Sequence, residues 1–112
     1  MDITNVQFSQ ASPGPTIVIT GSGFGSTPPQ TVSAYSFGYD SPNLAIFYDG
    51  YQWGYYNSPT GNWYGVNYVS WSSTKIVIGF LKPLSPGAPI TVDVIRPHSK
   101  ATWTGTVKFP TA

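Results

Sequence analysis

Between Asp49 and Lys75 the chain has no charged residue, yet it carries Tyr51, Trp53, Tyr55, Tyr56, Trp63, Tyr64, Tyr68 and Trp71. Gly, Asn and Ser fill most of the gaps. Tyr and Trp each join a large apolar ring to a polar handle, and both are favoured where one side is wet. The chemistry such a surface offers is stacking. Tyr51, Trp53 and Tyr55 lie at i, i+2 and i+4. In an extended chain they share one face at about 6–7 Å per step, from a rise of ~3.3 Å per residue. Tyr56 then points the other way. Trp63 and Tyr64 follow the Pro59-Thr60-Gly61 turn and return as a second wall. Gln52, Asn57, Asn62 and Asn67 supply hydrogen-bond partners, and Asp40 and Asp49 border the tract. A wet, uncharged aromatic surface suits a neutral ligand with apolar faces and many hydroxyls. Sugar rings meet that description, because the axial C–H bonds of a β-linked glucose present an apolar face. Turns between Tyr51 and Trp63 favour a cleft over a flat platform.

Bond-breaking chemistry has little to work with. The acids are Asp2, Asp40, Asp49 and Asp93, with no Glu. A glycosidase needs two carboxyls flanking one bond, and nothing in the spacing of Asp40 and Asp49 demands that they pair. Hydrogen bonding to hydroxyls is the better role for both. His98, the one histidine, lies in Arg96-Pro97-His98-Ser99-Lys100, which reads as a solvated hairpin loop. No nucleophile elbow accompanies it. The sequence therefore predicts a binding domain rather than an enzyme. Gly21-Ser22-Gly23-Phe24-Gly25 lacks the spacing of a phosphate loop, and no helix follows it. It reads as a glycine-rich strand end or bulge. Asp40, Asp49 and Asp93 with backbone carbonyls could bind calcium, but no D-x-D-x-D-G loop is present, so no cofactor is expected. There are no cysteines for a disulfide or thiolate site.

The elements that must position these residues are strands. In Thr16-Ile17-Val18-Ile19-Thr20, Ile17 and Ile19 share a face. Residues 74–80 put Ile76, Ile78 and Phe80 together. Residues 89–96 alternate Ile90, Val92 and Val94 against Thr91, Asp93 and Ile95. Residues 101–109 alternate Trp103, Val107 and Phe109 against Thr102, Thr104, Thr106 and Lys108. Residues 3–8, 44–48 and 66–71 complete the set. Eleven prolines and twelve glycines punctuate the strands, as in an all-β sandwich. No segment shows a 3.6-residue period, and there is no internal repeat. Phe8, Phe24, Phe37, Phe47, Phe80 and Phe109 are assigned to the core because they lack a polar handle. Trp71 and Trp103 join them, being in phase with apolar neighbours. Trp53 and Trp63, flanked by Gly, Asn or Gln, are assigned to the exposed surface.

At 112 residues, with Ile3 and Phe109 framing the pattern, the chain reads as one domain over 1–112. Charged residues are 8%, against about 25% in ordinary soluble domains. A formal net charge of +1 with five scattered basic residues argues against nucleic acid. No apolar run approaches the ~20 residues of a membrane span. Low charge with many Thr, Ser, Asn, Gly and Tyr is a composition typical of secreted modules. No signal peptide is visible; a piece cut from a longer secreted protein would account for that. A monomer is expected.

Ile3-Thr4-Asn5-Val6, followed by Pro15-Thr16-Ile17-Val18-Ile19-Thr20-Gly21-Ser22-Gly23-Phe24-Gly25, resembles the opening of an IPT/TIG immunoglobulin-like domain. Val69-Ser70-Trp71-Ser72-Ser73-Thr74-Lys75-Ile76-Val77-Ile78 resembles a later part of that pattern, and Ile90-Thr91-Val92-Asp93-Val94 fits its penultimate strand. The resemblance implies an immunoglobulin-like β-sandwich of two antiparallel sheets. It departs in the middle, where residues 35–68 are long and aromatic. A function grafted on a scaffold has that form. A small sandwich with such an insertion looks like a carbohydrate-binding module appended to a plant-wall-degrading enzyme, and is similar to the cellulose- and β-glucan-binding modules of family 81. That resemblance implies a β-glucan ligand, a linked catalytic domain and secretion. Tyr51, Gln52, Trp53, Tyr55, Tyr56, Asn62, Trp63, Tyr64 and Asp49 are the expected ligand-binding residues. The competing expectation is an IPT/TIG-type structural spacer or adhesion domain with a protein partner.

Overall fold

The computed structural model describes residues 1–9, 15–25, 32–33, 39–40, 43–54, 65–80, 83–96 and 98–109, with only the backbone of 32–33 and 39–40. All regular structure among them is β: β1 (Asp2–Ser9), β2 (Thr16–Ser22), β3 (Val32–Ser33), β4 (Tyr39–Asp40), β5 (Leu44–Tyr48), β6 (Tyr51–Trp53), β7 (Asn67–Trp71), β8 (Lys75–Gly79), β9 (Pro89–Arg96) and β10 (Ser99–Thr106). One four-stranded sheet has the order β1-β2-β8-β7 and the other β10-β9-β5-β6, all pairs antiparallel; β3 and β4 form a two-stranded ribbon. Lettered in chain order, these are sheets A-B-E-D and G-F-C-C′, the strand arrangement of an immunoglobulin-like sandwich.

Alternation decides which side chains enter the core. Val6, Phe8, Ile17, Ile19, Ile76 and Ile78 of the first sheet face Leu44, Ile46, Tyr48, Ile90, Val92 and Val94 of the second, all buried. β9 is copied from its alternation pattern without a shift in bounds. Exposed Thr102, Thr104, Thr106 and Lys108 mark the solvent side of β10 and its continuation, as their phase demands. Trp71 and Trp103 are half-buried and pack against this core.

The glycine-rich stretch 21–25 and the Trp-Ser stretch 71–75 bond to each other. Gly21 and Phe24 donate backbone N–H bonds to the carbonyls of Thr74 and Ser73, and Trp71 Nε1 donates to the Phe24 carbonyl at 3.2 Å. Phe24 is thereby held fully buried as a plug at one end of the sandwich. Gly21 is required there, since a Cβ would overlap the Asp2 carbonyl oxygen. These amides are committed to backbone acceptors, so the glycine-rich segment is a structural corner.

At the other end, Trp53 corrects its assignment to the surface. It is 3% exposed, its ring lies 4.7 Å from that of Phe80, and its Nε1 donates to the Tyr48 carbonyl at 3.1 Å. Phe80 in turn meets Tyr48 edge-on at 5.6 Å, and the Tyr48 hydroxyl accepts from Ser85 N–H at 2.8 Å. Phe47 corrects in the opposite sense: assigned to the core, it is 41% exposed. Both reversals have one cause. The pairing Ile46↔Trp53 and Phe47↔Gln52 puts Trp53 on the inner face with Ile46, and Phe47 on the outer face with Gln52. Phe37 lies outside the described residues.

Urea unfolding of single variants should reproduce this division. Trp53→Ala is expected to lose about 3–5 kcal/mol, as for a large buried aromatic. Phe47→Ala should lose no more than about 1 kcal/mol, as for a side chain already largely in water.

Candidate functional site

The turn between β5 and β6 is Asp49-Gly50, with φ of 54° and 79°. Positive φ at both positions is the type I′ geometry whose twist matches a two-residue β-hairpin. Asp is among the few side chains that tolerate the left-handed region, and Gly enters it without a Cβ penalty. The turn makes Tyr48 and Tyr51 direct partners. It also leaves a shallow open groove of about 530 Å³, lined by Phe47, Tyr48, Asp49, Gly50, Tyr51, Gln52, Pro89, Ile90 and Thr91.

Three of the residues expected from the sequence meet in this groove: Asp49, Tyr51 and Gln52. Asp49 and Tyr51 are exposed, Tyr51 to 56%, and Gln52 is half-buried. Tyr51 has the same strand phase as Trp53 but sits at the open hairpin end, where it is far more exposed. Trp53 stands behind the groove, in the core. Tyr55, Tyr56, Asn62, Trp63 and Tyr64 lie outside the described residues, as does the Asp40 side chain. Tyr68 is half-buried and donates its hydroxyl to the Gly54 carbonyl at 3.3 Å, tying β7 to the end of β6.

The structure adds Phe47, Thr91 and Pro89 to the expected set. The signal that could have found them is the Asp49-Gly50 pair between two apolar runs. It fixes the hairpin register, and the register fixes which faces Phe47 and Gln52 take. β9 pairs with β5 on its other side, Phe47↔Thr91 and Ala45↔Asp93. Gln52, Phe47 and Thr91 therefore stand side by side across three strands, and Thr104 of β10 follows opposite Thr91. The Thr91 and Thr104 hydroxyls are hydrogen-bonded at 3.3 Å.

The chemistry of the groove is that of contact. Phe47 on the outer face and Tyr51 at the hairpin end, in the inner phase, contribute its exposed aromatic side chains; Gln52 and Thr91 offer donors and acceptors, and Asp49 offers a carboxylate acceptor. His98 is exposed in the loop between β9 and β10, and does not line the groove. Among the described residues no three His, Cys, Asp or Glu side chains gather as a metal set. No family model, curated protein or solved structure matches the chain.

One neighbour of the groove is a buried acidic side chain. Asp93 is only 8% exposed although it lies on the outer face of its sheet, between Ala45 and Thr102, and its Oδ1 has no hydrogen-bond partner among the described residues. A buried carboxylate oxygen without a partner opposes folding. Asp93→Asn is therefore expected to leave stability unchanged or raise it by about 1–2 kcal/mol at neutral pH. Urea unfolding that shows a loss instead would mean the carboxylate is paired in solution.

Proposed function

We propose that this domain is a non-catalytic carbohydrate-binding module for β-glucan chains, such as cellulose, cello-oligosaccharides and related β-glucans. It would act outside the cell, holding a linked glycoside hydrolase near plant cell wall. The observation that carries the reading is the pair of exposed rings, Phe47 and Tyr51, in an open groove whose other side chains are mainly uncharged and hydrogen-bonding. A soluble domain gains nothing in stability by leaving such rings wet, whereas a sugar ring with an apolar face gains by covering them. The aromatic tract that continues after Trp53 supplies further rings in sequence.

In this mechanism the sugar rings lie on Phe47 and Tyr51 while their equatorial hydroxyls exchange hydrogen bonds with Gln52, Thr91 and Asp49. A shallow groove encloses little of its ligand, so each encounter is weak. Linkage to an enzyme raises the effective concentration and makes weak binding sufficient. The interaction is between a near-neutral surface and a neutral polymer, so added salt should change it little.

Affinity electrophoresis in gels containing soluble β-glucans tests this. The wild-type domain should be retarded, and Tyr51→Ala and Phe47→Ala should each lose most of the retardation while remaining folded. Equal retardation of both variants and wild type would remove this groove as the site. Absence of retardation on any β-glucan, with capture of a protein partner instead, would favour the spacer or adhesion role.

A further inference from the structure

The groove opens onto a longer strip, and we infer that its ligand is an extended chain lying across the strands of the second sheet, from β6 over β5 and β9 to β10. This rests on the carbohydrate reading and adds the direction and length of the bound chain. The register aligns Gln52, Phe47, Thr91 and Thr104 in one outward-facing row. With about 4.8 Å between strands, the row spans roughly 14 Å. That is room for several consecutive sugar rings rather than one chain end.

The neighbouring rows explain why the strip runs this way. On one side lie Ala45 and Asp93, which share the outward phase but are 1% and 8% exposed, so the face is closed over β5 and β9, while Thr102 at the end of that row is exposed. On the other side the sheet ends at the Asp49-Gly50 turn and at Pro89, which pairs with Thr106. A chain running along β5 or β9 would meet the covered row after one step. A chain crossing the strands meets Gln52, the ring of Phe47, then the linked hydroxyls of Thr91 and Thr104. None of these four side chains is charged, which suits a neutral polymer and offers nothing to an ionic one. Thr106 is exposed beside Thr104 on the same face of β10 and widens the far end.

Calorimetric titration with cellobiose and cellohexaose separates this from binding confined to the groove. The wild type should bind the hexasaccharide at least tenfold more tightly than the disaccharide. Thr104→Val, which keeps the β-branched shape but removes the hydroxyl, should weaken hexasaccharide binding about three- to tenfold and disaccharide binding by less. Thr91→Val should weaken both. Equal affinities for short and long ligands in the wild type, or an unchanged hexasaccharide affinity in Thr104→Val, would overturn the crossing geometry while leaving the carbohydrate reading intact. Failure of both ligands to bind the folded wild type would overturn both readings.

Discussion

The register of the β5–β6 hairpin is the constraint on which the rest depends. Asp49 and Gly50 both adopt positive φ, so the loop holds two residues and Tyr48 must face Tyr51. A slip of one residue would exchange the faces of every side chain in β6. Trp53 would leave the core and Gln52 would enter it. The observed register instead seats Trp53 on Phe80, closes one end of the sandwich, and turns Phe47 and Gln52 outward. One register thus sets both the seat of Trp53 in the core and the outward place of Phe47 and Gln52.

This coupling gives the groove a rigid floor. Tyr48 lines it, yet the Tyr48 ring packs edge-on against Phe80 and its hydroxyl is held by the Ser85 backbone. Trp53 donates to the Tyr48 carbonyl from behind. β9, which supplies Pro89, Ile90 and Thr91, is the central strand between β5 and β10 and is buried along its inner face by Ile90, Val92 and Val94. The exposed rings therefore project from backbone whose position is fixed by burial, the arrangement that lowers the ordering cost of binding.

Much of the fold is legible in the sequence. The strands with clean alternation, such as 74–80 and 89–96, expose their core phase directly, and the prolines and glycines between strands mark the turns of a β-sandwich. The site is legible only in part, and the reason is local. Leu44-Ala45-Ile46-Phe47-Tyr48 is apolar at every position, so it carries no phase information and Phe47 cannot be told from Ile46. Trp53 has polar and glycine neighbours, Gln52 and Gly54, that make it look exposed. Gln52 is the outward partner of Phe47, and Gly54 turns the chain at φ of 81° beside Val66. Asp93 shows the converse: alternation places it outward, but burial of that part of the face is a tertiary fact that no periodicity contains.

The most direct measurement is an amide-resolved NMR titration of the isotopically labelled domain with a soluble β-glucan oligosaccharide. The account predicts that the largest shifts cluster on the outer face of the second sheet and its hairpin, at Phe47, Asp49, Gly50, Tyr51, Gln52 and Thr91, with the first sheet undisturbed. Saturable shifts confined to the first sheet, or none at all at millimolar ligand, would contradict it.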